Sequence, residues 1–240
     1  MITPVIARKG SFSMNKTQNK TSVAEIDKRL PDSLWKSMLF RALPALIGAL
    51  VITFTQEHTA RFGFVVFGAV ALWSGVIVGF EAVGIKGHPL RSFVFARSIL
   101  GALVGGYCLF MGTGGHDWAT VHNFIWTVAI WAIVTGAIEL VAGLVFRKQS
   151  MYRSEIVLSG AITMLLGIIV AFVPPELDAD YGGIEHIEGS LTAEVQAIGF
   201  VGAYLAVLGV LLVIEAFTLR SALRRRDDGK NAKSPAKKES

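Results

Sequence analysis

Three glutamates, Glu81, Glu139 and Glu215, stand inside otherwise apolar runs, and the runs that carry them superimpose without a gap. They read "GVIVGFEAVGIK" from Gly75, "GAIELVAGLVFR" from Gly136 and "GVLLVIEAFTLR" from Gly209, each reaching a basic residue eleven positions later, at Lys86, Arg147 and Arg220. Arg41 and Arg97 interrupt two further apolar runs. A charge at the centre of a bilayer costs about 2.5–3.5 kcal/mol on insertion scales, so such residues are functional candidates. Three uses fit these five: interhelical ion pairs that pin a bundle, a cavity that responds to protons or ions, and contact with lipid headgroups. Glu81 and Glu215 lie five residues from the basic end of their runs, about 7–8 Å along a helix, and Glu139 lies deeper.

The elements that must carry these residues follow from composition. Of the 240 residues, 52% are hydrophobic and 17% charged, and the charges fall in blocks, which points to a membrane class. Apolar windows long enough to cross about 30 Å of hydrocarbon occur near 34–55, 63–84, 92–111, 119–146, 155–174 and 193–219. The expected fold is therefore an all-α polytopic membrane protein of six transmembrane helices, arranged as three tandem hairpins with short outer connections.

Orientation is read from the loops, since Lys and Arg near span ends stay cytoplasmic. Lys28 and Arg29 precede the first span, Lys86 and Arg91 join the second to the third, and Arg147, Lys148 and Arg153 join the fourth to the fifth. The tail adds "RRRDDGKNAKSPAKK", whereas the opposite side has only Arg61. Both termini are expected in the cytoplasm, with a polar, largely disordered segment over 1–33, a membrane domain over 34–220 and a basic, disordered tail over 221–240. The tail is expected to hold anionic inner-leaflet lipid; nucleic acid is not an expected partner. No removable signal peptide is read at the N-terminus. Ser22 and Glu25 have capping-box spacing, and Pro44 is expected to kink the first span.

Glycines recur at heptad spacing in Gly68 and Gly75, Gly136 and Gly143, Gly160 and Gly167, and Gly202 and Gly209. Small residues along a stripe let helix backbones approach closely in lipid, within the chain or at a face for a membrane-protein partner or a second copy. The repeated even-numbered helices, with "RALPALIGALV" from Arg41 and "RSILGALVGGY" from Arg97 in odd-numbered ones, indicate a tandem repeat; Ile156 is the aligned position in the fifth helix.

Over about 120–222, "IWAIVTGAIELVAGLVFRK", "VLSGAITMLLGIIVAFVPPE" and "IGFVGAYLAVLGVLLVIEAFTLR" resemble the HdeD-like bacterial membrane proteins, built from short two-helix repeats. The resemblance implies a six-helix protein of the bacterial inner membrane linked to acid or envelope stress, without catalytic residues to carry over. The acidic outer loop and the basic tail are longer than that pattern.

The outer loop "PPELDADYGGIEHIEGSLTAE" holds six carboxylates and no Lys or Arg. Asp178, Asp180, Glu185, His186 and Glu188 are weak candidates for a divalent cation, but their spacing matches no EF-hand or zinc signature, and a solvated acidic loop is the simpler reading. Cys108 alone can form no intrachain disulfide. HExxH, Walker glycine-lysine and G-x-S-x-G patterns are absent, so no cofactor and no enzymatic activity is expected. The expected role is structural, stress-related or partner-binding; the alternative is a small transporter or proton- or ion-handling channel using the inner-leaflet Glu and Arg residues.

Overall fold

A computed structural model describes residues 34–56, 58–85, 90–145, 153–180 and 190–233. Those residues form six helices: α1 Leu34–Phe54, α2 Ala60–Gly84, α3 Arg91–Thr113, α4 Val121–Val145, α5 Arg153–Ala171 and α6 Ala193–Lys233. Five of them, all but α5, are long and apolar enough to cross a membrane. The apolar part of α5, Ile156–Ala171, is shorter. Among the described residues the elements other than helices are the two strands of an antiparallel ribbon, β1 Asp178–Asp180 with β2 Ser190–Thr192, in which Asp178 faces Thr192 and Asp180 faces Ser190. The segment 1–33, including the Ser22 and Glu25 spacing, lies outside the described residues.

Local chemistry explains the elements. Thr59 caps α2, its hydroxyl accepting from the Phe62 N–H at 3.2 Å. Helix α1 runs through Pro44 unbroken as an element. Proline has no N–H for the carbonyl four residues back, which leaves the Phe40 oxygen without its intrahelical donor. The indole Nε1–H of Trp73 on α2 donates to that oxygen at 2.9 Å. Large apolar side chains such as Phe40, Leu50, Phe54, Phe80, Leu103 and Phe172 point outward, as lipid-facing surfaces require.

The helices pair differently from the hairpins that chain order predicts. The closest packing joins α2 to α3, α4 to α5, and α6 back to α1; helices joined by the acidic-side loops pack less closely. Glycine stripes decide this. A Cβ on Gly75 would lie 2.6 Å from the Ala102 nitrogen, one on Gly136 2.7 Å from the Met164 nitrogen, and one on Gly209 2.6 Å from the Leu46 side chain. At Gly75 and Gly136 backbone meets backbone, at Gly209 the Leu46 side chain fills the space, and dispersion must supply what the hydrophobic effect cannot in lipid. Loop connectivity only keeps successive helices adjacent.

These contacts also fix the repeat register. Gly75, Gly136 and Gly209 are equivalent, so their partners Ala102, Met164 and Leu46 are equivalent too. Five residues earlier stand Arg97, Ser159 and Arg41. The sequence alignment placed Ile156 at the α5 position; the structure moves it three residues, about one helical turn, to Ser159.

At the tail, α6 continues as helix to Lys233, which corrects the expectation of disorder from 221 onward. The segment is rich in helix formers, "SALRRR" and "NAK", and the first residue that forbids continuation is Pro235 in the sequence.

Gly136→Leu should destabilise the bundle by about 1–3 kcal/mol or more through overpacking against Met164. Gly199→Ala, whose Cβ would meet nothing within 4 Å, should be neutral or stabilise by up to about 1 kcal/mol. Thermal unfolding in mild detergent measures both. Equal melting of the Gly136→Leu and parent proteins would refute backbone contact at this stripe.

Candidate functional site: a charge-lined cavity

All six helices contribute to one cavity at the end of the bundle where α1, α3 and α5 begin. Its polar lining is Arg41, Glu81, Arg97, Glu139, Glu215 and Ser159. The structure thus brings the five intramembrane charges to one place. About 140 Å³ is open to the centres of water-sized molecules, where roughly 10–15 Å³ admits one water. Most of the remaining wall is carbon, including Leu34, Met38, Ile85, Leu90 and Phe93.

Helical spacing aims these side chains inward. Leu34, Met38 and Arg41 recur at four and three residues and share one face of α1; Leu90, Phe93, Val94 and Arg97 do the same across the start of α3. Glu81 and Glu215 follow their aligned glycines by six residues and Glu139 by three. Ala142, six after Gly136, lines the cavity where a glutamate stands in the other two repeats.

The charges pair unequally. Arg97 Nε lies 2.8 Å from Glu139 Oε1, and the Ser159 hydroxyl donates to Glu139 Oε2 at 3.1 Å. This ion pair is short and three-centred, with the carboxylate 7% exposed and the arginine 23%. Arg41 Nη1 stands 3.8 Å from Glu81 Oε1, beyond hydrogen-bond length, and Glu81 Oε1 accepts instead from the Ser37 hydroxyl at 2.6 Å. Arg41 Nε is buried without a hydrogen-bond acceptor among the described residues. The same guanidinium lies within electrostatic reach of Arg97, Glu81, Glu139 and Glu215. Glu215 is buried as well.

Both ion pairs cross between glycine-packed units. Arg41 on α1 reaches Glu81 on α2, and Arg97 on α3 reaches Glu139 on α4. The third boundary, α5 to α6, is bridged by the Thr163 hydroxyl and the Tyr204 phenol at 3.2 Å, both buried. Glycines therefore close the units, and polar contacts join them.

The interior of the opposite half is filled by large side chains, and the pocket at that end, lined by Phe110, Met111, His116 and Trp118, lies beside the loop after α3. Phe64, Phe67, Phe124, Ile198 and Leu205 are fully buried in that half, with Phe64 and Phe124 in an edge contact at 5.2 Å and Phe67 and Trp131 at 5.0 Å. The cavity is one-sided.

Glu185, His186 and Glu188 lie outside the described residues, Asp178 and Asp180 are held in the ribbon, and among the described residues no group of three or more His, Cys, Asp or Glu is placed to hold a metal. Cys108 is buried. Sequence reasoning missed Ser37 and Ser159, the hydroxyls that hold two of the carboxylates. Ser37 precedes Arg41 by one helical turn, and Ser159 becomes visible once the glycine register is known.

Against known families, a short repeat of unknown function, DUF308, matches residues 116–172. That repeat family includes HdeD-like membrane proteins. The matched segment coincides with α4, α5 and the turn before them, one glycine-packed unit. Comparison with curated proteins gave no match. Comparison with solved structures gave none either.

Glu139→Gln should cost on the order of 3 kcal/mol, because it strands a largely buried guanidinium. Combined with Arg97→Gln, the loss should fall short of the sum by about 0.5–3 kcal/mol. Glu81→Gln should cost less, since its pair is already long and Ser37 keeps an acceptor. Detergent melting of the four proteins measures the cycle; strict additivity would show that Arg97 and Glu139 do not interact.

Proposed function

We propose that this chain is a six-helix, multi-pass protein of the bacterial cytoplasmic membrane, both termini cytoplasmic, that acts without catalysis by holding a ligand or partner group in its one-sided cavity. The observation that carries this reading is the convergence of five ionisable side chains from separate helices on one space with carbon walls. Purely structural charges would need no such space: interhelical pairs close fully when packing is their whole purpose. The positive-inside asymmetry orients the cavity toward the cytoplasmic leaflet. In that orientation, the α5 helix crosses the membrane with help from Phe172 and Val173, which extend its apolar run.

An enzymatic role has less support. General acid–base chemistry needs a carboxyl free to exchange its proton with substrate, whereas Glu139 is held by Arg97 and Ser159, and Glu81 by Ser37. A channel is disfavoured by the aromatic plug in the other half. Alternating-access transport would require that plug to open, and it remains the second reading because intramembrane charges otherwise mark transport pathways. The DUF308 match covers one unit and carries no function of its own; a stress-related role rests on the sequence resemblance to HdeD-like proteins, which that repeat family includes.

In a Cys108→Ala background, Gln56→Cys and Thr113→Cys should react with an impermeant thiol reagent in intact cells. Ser159→Cys should react only in inside-out vesicles, where the cavity faces the reagent. Labelling of Ser159→Cys from outside, or of neither orientation, would defeat the one-sided cavity.

A further inference from the structure

Arg41 is a cavity residue whose bonding is incomplete. Its Nε has no acceptor among the described residues, its guanidinium approaches Glu81 only to 3.8 Å, and its side chain is 7% exposed. A buried guanidinium carries five N–H donors in a rigid fork suited to an oxyanion, and leaving them unmade is costly. The neighbouring pair is closed at 2.8 Å, so the opening is specific to the Arg41–Glu81 boundary.

We propose that the cavity binds the headgroup of a zwitterionic phospholipid bearing a primary ammonium, the phosphate on Arg41 and the ammonium on Glu81. This rests on the reading of the cavity as a cytoplasm-facing binding site. A ligand with both charges replaces the long ion pair by two short ones and leaves the net charge of the site unchanged. A purely anionic headgroup would instead meet Glu81, Glu139 and Glu215 along with the two arginines, and a simple cation would leave the Arg41 donors unfilled.

The walls distinguish a lipid from a free zwitterion. Leu34, Met38, Ile85, Leu90 and Phe93 line the space toward the helix ends, at the level where glycerol and the first acyl carbons of an inner-leaflet lipid would lie. A soluble zwitterion would gain nothing from that carbon and would pay its desolvation in full. The Glu81 carboxylate, three residues from the end of α2, sits nearer the headgroup layer than Glu139.

The test uses the full-length protein, delipidated in mild detergent, with dioleoyl phosphatidylethanolamine as the probe. Thermal unfolding should shift upward by roughly 5 °C near saturation, the scale that ligand linkage gives. Dioleoyl phosphatidylglycerol, without the ammonium, and dioleoylglycerol, without a headgroup, should give little shift. Glu81→Gln keeps the side-chain shape and the Ser37 acceptor but should abolish the selectivity; Arg41→Gln should do the same. Native mass spectrometry of Glu81→Gln reads lipid retention directly, so a loss of stability in Arg41→Gln does not obscure the result. An equal response to phosphatidylglycerol, or unchanged selectivity in Glu81→Gln, would overturn the proposal. A full response to free phosphoethanolamine would overturn the lipid assignment. One-sided labelling of Ser159→Cys alongside absent lipid selectivity would remove the ligand while leaving the cavity standing.

Discussion

A buried arginine in lipid must find a carboxylate, and in this bundle the short contact between Arg97 and Glu139 sets what the rest of the structure can do. Each ion would be costly alone in a low-dielectric interior, and their attraction repays that cost only with good geometry and further hydrogen bonds. Ser159 supplies one, occupying the second carboxylate oxygen. The contact ties α3 to α4 and hence one glycine-packed unit to the next. Arg41 and Glu81 occupy the preceding boundary but stay 3.8 Å apart, so the same device appears once closed and once open. Both pairs line the cavity.

Glycine provides the complementary constraint. Lipid removes the hydrophobic drive between helices, so close backbone contact becomes a source of cohesion. The stripes on α2, α4 and α6 choose α3, α5 and α1 as partners, and the last choice closes the ring between the first and last helices. At the basic end this closure is reinforced by Arg220 over the Trp35 ring, 4.8 Å from its centroid, which joins α6 to the start of α1. One of these glycine-packed pairs, α4 with α5 on either side of a basic-side loop, coincides with the DUF308 match over 116–172.

Much of the fold was legible because its signals are one-dimensional. Apolar length gave the helices, five of them long enough to cross a membrane, and the repeated "G…E…R/K" runs gave the three glutamates. Which helices touch was less legible, since chain order favours hairpins while the glycine faces favour the neighbours across the other loops. The register of α5 was hidden for a similar reason: a serine stands where its counterparts carry arginine, so Ser159 offers no charge signal. The ribbon at Asp178–Asp180 arises from three-residue strands, too short for a period-two pattern. The helical course of 221–233 was obscured by its charge and by Asp227, Asp228, Gly229 and Asn231, which resemble a disordered tail, although its Ala, Leu, Arg and Lys residues favour helix.

The central claim is that electrostatic pairing, rather than side-chain bulk, joins the glycine-packed units. Exchanging the charges by Arg97→Glu with Glu139→Arg tests it most directly, compared with each reversal alone in thermal unfolding of the detergent-solubilised protein. Each single reversal places like charges about 3 Å apart and should destabilise strongly, while the exchanged pair should recover a substantial part of the lost melting temperature. An exchanged protein that melts no higher than the worse single variant would contradict the account.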